Sequence, residues 1–168
     1  MRKVITICIM FLILLPVIQT KAKTKVPEPT FEETVETMVR EHKVMLDRLI
    51  AAWEHRQEEI NLLAEVIYHE NWHTDKEHLA AYYTGAVVMN RVNSKAWPDT
   101  VKKVLYQKGQ YSTTKLFFTK EIPAECYEMA RDIYKNGTPD VPTNVIFQAM
   151  RPLGKTWKKV NTDYFCYG

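Results

Sequence analysis

The chain is short of several things that would otherwise set its class. It has only three cysteines in 168 residues. It has no internal repeat and no low-complexity tract. It also lacks a long hydrophobic run. The longest apolar stretch, residues 4–18, is 15 residues, too short to span a bilayer comfortably. That stretch follows the cationic start Met1-Arg2-Lys3 and precedes Thr20-Lys21-Ala22, with small residues where a signal peptidase reads. The pattern predicts a secretory signal peptide over residues 1–22, cut after Ala22, with an uncleaved membrane anchor as the alternative. The expected product is secreted, without stable membrane insertion after cleavage.

Removing residues 1–22 also removes the net charge. The leader holds Arg2, Lys3 and Lys21, so 23 − 3 = 20 basic residues face 20 acidic ones. A neutral chain gives no case for nucleic acid or for a membrane surface. The charge is uneven, however. Residues 23–70 carry 6 basic and 11 acidic groups, and residues 95–168 carry 12 and 7. Two cysteines remain, Cys126 and Cys166. Export would permit a disulfide, and two buried thiols are equally compatible with the sequence.

Lys23 to Pro29 reads as a linker. Thr30 and Glu33 fit a capping box that opens a helix. Phe31, Val35, Met38, Met45, Leu49 and Ala52 form a narrow apolar stripe along it to about Trp53. The stripe is expected to pack on the remaining chain or to meet a protein partner. The polar interval Glu54–Glu59 has no Gly or Pro, so the helix can bend there or continue. Ile60, Leu63, Ala64 and Ile67 share one face of a segment expected to end near Glu70.

A second capping box, Thr74 to Glu77, predicts a helix from about Asp75, with Gly85 inside it for close packing. A short helix is expected from Trp97-Pro98 to Leu105, extended chain over 110–113 and 116–119, and a helix from Pro123 to Asn136-Gly137. Strands are expected over Val141–Ala149 and Tyr164–Tyr167, with a loop over 151–155. The expected fold is α+β: helix-rich, with a few short strands, preceded by an N-terminal helix. The parts are a signal peptide (1–22), a linker and amphipathic helix (23–57) and a catalytic domain (58–168).

Two chemistries claim Glu70. His69-Glu70-Asn71-Trp72-His73 is an H-E-x-x-H string, in which His69 and His73 on one helix face can share a zinc ion while Glu70 activates its water. The Thr74 capping box weighs against this, because both histidines must stay helical to converge.

The second claim rests on an ordered set of segments. These are Leu63–Glu70, Gly85–Val92 with its Asn-Arg-Val ending, Trp97-Pro98, Val104–Gln107, Gly109–Ser112, Ile146-Phe147 and Tyr164-Phe165. Together they resemble the spore-cortex-lytic, cell-wall-hydrolase family. The resemblance implies a lysozyme-like domain that cleaves the MurNAc–GlcNAc bond of peptidoglycan glycan strands as a lytic transglycosylase, with Glu70 as general acid/base and no cofactor. A tethered 6-hydroxyl can serve as nucleophile, so one carboxylate suffices. Val66, Ile67 and Trp72 are apolar neighbours able to raise its pKa.

On this reading Tyr111, Phe147, Trp157 and Tyr164 are candidate sugar-facing aromatics. Gln110, Ser112 and Gln148 are candidate partners for hydroxyls and acetamides. Asn90 and Arg91 are read as helix-end structure. The chain departs from the family after Glu70, where a second acid is usual, and at Asp163, where a histidine is common. A non-catalytic module binding glycan or a partner is the third reading.

Overall fold

The computed structural model describes residues 29–168; the signal-peptide reading lies outside them. The described chain divides into two units, residues 29–43 and 44–168. Helix α1 (Phe31–Asn71) begins in the first. Its capping box forms as expected: Thr30 N–H donates to Glu33 Oε2 at 2.8 Å, and Glu33 N–H to Thr30 Oγ1 at 3.3 Å.

In the second unit α1 continues without a break through the polar interval, since nothing between Glu54 and Glu59 interrupts its ladder. Met45, Leu49 and Trp53 are exposed, so the expected packing of this stripe is not met by residues 44–53. From Glu59 the helix enters the core. Leu62, Leu63, Ala64, Val66 and Ile67 are all buried, each large one worth about 1.5–3 kcal/mol of burial. Glu59 is 3 % exposed yet satisfied. It accepts from Val101 and Lys102 N–H at 2.7 and 3.1 Å, capping helix α3 (Val101–Leu105) from across the core.

Helix α2 (Leu79–Val92) starts later than its sequence implies. Thr74 does not cap it. The Asp75 carboxylate accepts from Leu79 and Ala80 N–H at 2.7 and 2.9 Å instead. His78, at a left-handed φ of 54°, donates through Nδ1 to Trp72 O at 2.7 Å and stacks on the Trp72 ring. That pair closes the loop between α1 and α2. Gly85 faces Ile133 of helix α4 (Ala124–Asn136) and Ile67 of α1; a Cβ there would lie 2.6 and 3.1 Å from their terminal methyls. The close approach expected of this glycine is therefore real.

Two other boundaries differ from expectation. Helix α3 is capped by the Thr100 hydroxyl rather than opened by Pro98. Residues 112–116 form a 3₁₀ turn where extended chain was expected. The sheet is antiparallel, in the order β1 (Val145–Ala149), β3 (Asp163–Tyr167), β2 (Thr156–Val160). β2 is absent from the strands expected of the sequence, and it turns Trp157, a candidate sugar-facing aromatic, onto the core side of the sheet. Trp157 packs edge-on against Tyr83 at 4.9 Å, beside the buried Phe165. The fold is α+β, as its sequence predicts. Cys126 and Cys166 are both buried free thiols. Burial pushes the Cys126 thiol up to about 12, which leaves it protonated and inert.

Candidate active-site cleft

Helix α1 delivers Glu70 at its last turn, where the backbone leaves the core. A cleft of about 300 Å³ opens there, with Glu70, Arg91, Tyr111, Gln148 and Asp163 among its walls. Three elements meet at this point. The end of α2 brings Arg91, β1 brings Gln148, and the first residue of β3 brings Asp163.

Glu70 is half-buried, and its carboxylate is held from the loop side. Thr113 Oγ1 donates to Glu70 Oε1 at 2.5 Å. Burial raises the Glu70 carboxyl above its ordinary value. The Thr113 bond opposes that shift, the Asp163 charge adds to it and His69 opposes it. The group is thus biased toward its protonated form while keeping a fixed rotamer.

Arg91, buried at the floor, is held through Nε and Nη1. Its Nε donates to Ile146 O at 2.7 Å, and its Nη1 reaches Gln110 Oε1 at 3.0 Å and the Tyr111 hydroxyl at 3.4 Å. The guanidinium also lies over the Trp97 ring at 4.3 Å. Asn90, next to it, donates to Pro142 O and Val145 O, both at 3.0 Å, and ties α2 to β1. Asn90 is therefore structural, whereas Arg91 both braces the sheet and lines the cleft.

Asn71 organises the opposite wall. Oriented to satisfy both ends of its amide, its oxygen accepts from Gln148 Nε2 at 2.7 Å. Its nitrogen donates to Thr74 Oγ1 at 2.7 Å and to Asp163 Oδ2 at 3.3 Å. One buried amide thereby links the end of α1 to both carriers of polar cleft groups, β1 and β3.

The residues singled out from sequence divide. Gln110, Tyr111 and Gln148 line the cleft with Glu70. Ser112, Phe147, Tyr164 and Trp157 are not among its walls. Ser112 opens the 3₁₀ turn, and its neighbour Thr113 makes the contact with Glu70. Phe147 alternates with Gln148 along β1, so it faces away and meets Trp97 edge-on. Tyr164 lies under the Lys159 ammonium, 4.8 Å from its ring centre.

Sequence reasoning gave no site role to Thr113, Arg91 or Asp163. The only signal was Asp163 itself, an acid where the resembling family has a histidine.

The zinc geometry does not form. His69 turns inward, with Nε2 3.3 Å from buried Glu65, and stacks on Phe117. His73 lies beyond the end of α1 and is exposed. Among the described residues no group of three or more His, Cys, Asp or Glu side chains is placed to share an ion.

A comparison with family patterns matches cell wall hydrolases over residues 76–165, which is 90 of 168 residues. The chain belongs to the cell wall hydrolase family. Within that span fall Arg91, Gln110, Tyr111, Thr113, Gln148 and Asp163; Glu70 lies six residues before it. No curated protein and no solved structure matches the chain. This cell wall hydrolase therefore presents a cleft whose polar floor and Asp163 fall within the family span and whose other acid, Glu70, is supplied by the preceding helix.

Proposed function

We propose that this cell wall hydrolase is exported and cuts the glycan strands of peptidoglycan at the MurNAc–GlcNAc bond, with Glu70 as general acid and then base. The observation that carries the proposal is the state of Glu70. It is half-buried in a polar cleft, biased toward protonation by that burial, and fixed by Thr113. A carboxyl in that condition can hand its proton to a leaving glycosidic oxygen.

In the transglycosylase form of the reaction, the C1–O bond to the leaving sugar breaks as the Glu70 proton passes to that oxygen. The 6-hydroxyl of the same muramic residue then bonds to C1, giving its proton back to Glu70. The nucleophile is already tethered, so no second protein group is needed. Arg91 is held on Ile146, Gln110 and Tyr111, and its fixed partners make the floor rigid rather than reactive.

Asp163 supports a second reading. It lines the same cleft, so a second carboxylate is available for hydrolysis by a paired acid and base. Mass spectrometry of the new glycan ends separates the two. Anhydromuramic ends support transglycosylation. Reducing ends that vanish in Asp163→Asn assign hydrolysis with Asp163 as base. Cleavage at peptide bonds alone would overturn both.

A further inference from the structure

The strand missing from the sequence reading, β2, carries a charge pattern the cleavage chemistry does not use. Between residues 141 and 162 the chain has four cations, Arg151, Lys155, Lys158 and Lys159, and no acid. All four are exposed, and none is in an ion pair among the described residues. β2 is an outer strand, bonded only to β3. Three of the ammonium groups rest on aromatic rings of the same sheet. Lys155 lies 5.6 Å from Tyr167, Lys158 lies 5.7 Å from Trp157, and Lys159 lies 4.8 Å from Tyr164. The rings are half-buried, and an exposed ammonium over such a ring keeps its outward side for an anion.

Lys158 and Lys159 leave opposite faces of β2, so the charge wraps its open edge, and the β2–β3 hairpin end of that edge adjoins the cleft. In the sheet register Tyr164 stands between Ala149 and Lys159, and Asp163 stands opposite Val160. Ala149 and Asp163 are both cleft walls. A polymer bound across Glu70 thus meets an acidic cleft and, one strand away, a basic rim. The glycan of peptidoglycan is close to neutral. Its anions are the carboxylates of the stem peptides that hang from the muramic lactyl groups.

We propose that the β2 rim is a subsite for stem-peptide carboxylates, so that the enzyme prefers glycan strands that still carry their peptides. The proposal rests on the glycan-cleaving reading above and assigns its substrate class. Charge complementarity and continuity with the cleft select this occupant, since an anion on the substrate strand itself reaches the rim when the strand is bound.

The test compares the parent with a Lys155→Gln, Lys158→Gln, Lys159→Gln variant on intact peptidoglycan and on peptidoglycan whose stem-peptide carboxylates have been capped as neutral amides with a carbodiimide and an amine. Three exposed charge pairs together set an expected scale of about ten-fold. On intact peptidoglycan the variant's KM should rise about ten-fold with kcat unchanged, and the gap should close in about 1 M salt, where such pairs are screened. On the capped peptidoglycan the two enzymes should behave alike.

An equal loss on both substrates, or no loss on either, overturns the proposal. If the gap instead disappears when phosphate-containing wall polymers are removed from sacculi with peptides left in place, the rim reads phosphate and the assignment is wrong. If the parent cleaves neither substrate, the glycan-cleaving reading itself fails and takes the rim's role with it.

Discussion

Replacing Thr113 by Val removes a hydroxyl and keeps the shape of the side chain. The structure gives Thr113 one polar task at this site, donating to Glu70 Oε1 at 2.5 Å. A hydrogen bond to a charged group contributes about 1.5–3 kcal/mol. Glu70 borders an open cleft, so water recovers part of that, and about 1 kcal/mol remains as the difference between its two protonation states. At 1.36 kcal/mol per unit, this is roughly 0.7 of a pKa unit.

The sign follows from which form is favoured. The hydroxyl donates to the carboxylate and so lowers a carboxyl that burial has raised. Without it, Glu70 should hold its proton to higher pH. Because the proposed first step needs the protonated acid, the alkaline limb of the kcat/KM profile should move up by about 0.5–1 pH unit. Thr113→Ser keeps the donor and should leave the limb in place. A limb that moves down, or that moves equally in the Ser and Val variants, would refute the reasoning.

Other consequences concern the framework. Glu59→Ala strips the cap from α3 and leaves the buried Val101 N–H and the half-buried Lys102 N–H without that partner; urea unfolding should show a loss of about 1–3 kcal/mol, and a loss under 0.5 kcal/mol would contradict it. Gly85→Ala gains about 1 kcal/mol of helix propensity and incurs about 1–3 kcal/mol of overpacking against Ile133 and Ile67. A net loss of about 1 kcal/mol is expected, so a raised Tm would show that those methyls yield freely. Glu70 has a raised folded-state pKa, so its contribution to stability is present at low pH and is lost as pH rises through that value. Glu70→Gln should therefore melt higher than the parent at pH 7, with the gain gone below about pH 4; equal Tm values at pH 7 would count against the burial effect.

The parts of the fold legible in sequence were those with a local signature. The Thr30–Glu33 box, the Gly137 stop and the apolar face from Ile60 to Ile67 each depend on residues within one or two turns. The parts that were not legible depend on distant partners. Asp75 displaces Thr74 as cap because the Trp72–His78 stack fixes the loop, and no spacing rule encodes that stack. β2 escaped notice because Thr156-Trp157-Lys158-Lys159-Val160 is mostly polar, as an outer strand can be, and its register is broken by a bulge against β3.

The cleft shows the same division. Glu70 was visible from its place in a helix. Thr113 was masked by its neighbour Ser112, since a 3₁₀ turn decides which hydroxyl points at the acid. Asp163 became a cleft residue only when β3 closed against β1.

The account stands or falls on Glu70. The most direct measurement is the rate at which purified Glu70→Gln protein, shown folded by circular dichroism, solubilises isolated sacculi. Loss of a general acid predicts a fall of about 10²–10⁴ with binding to sacculi retained. A variant that works at the parent's rate would contradict the central claim.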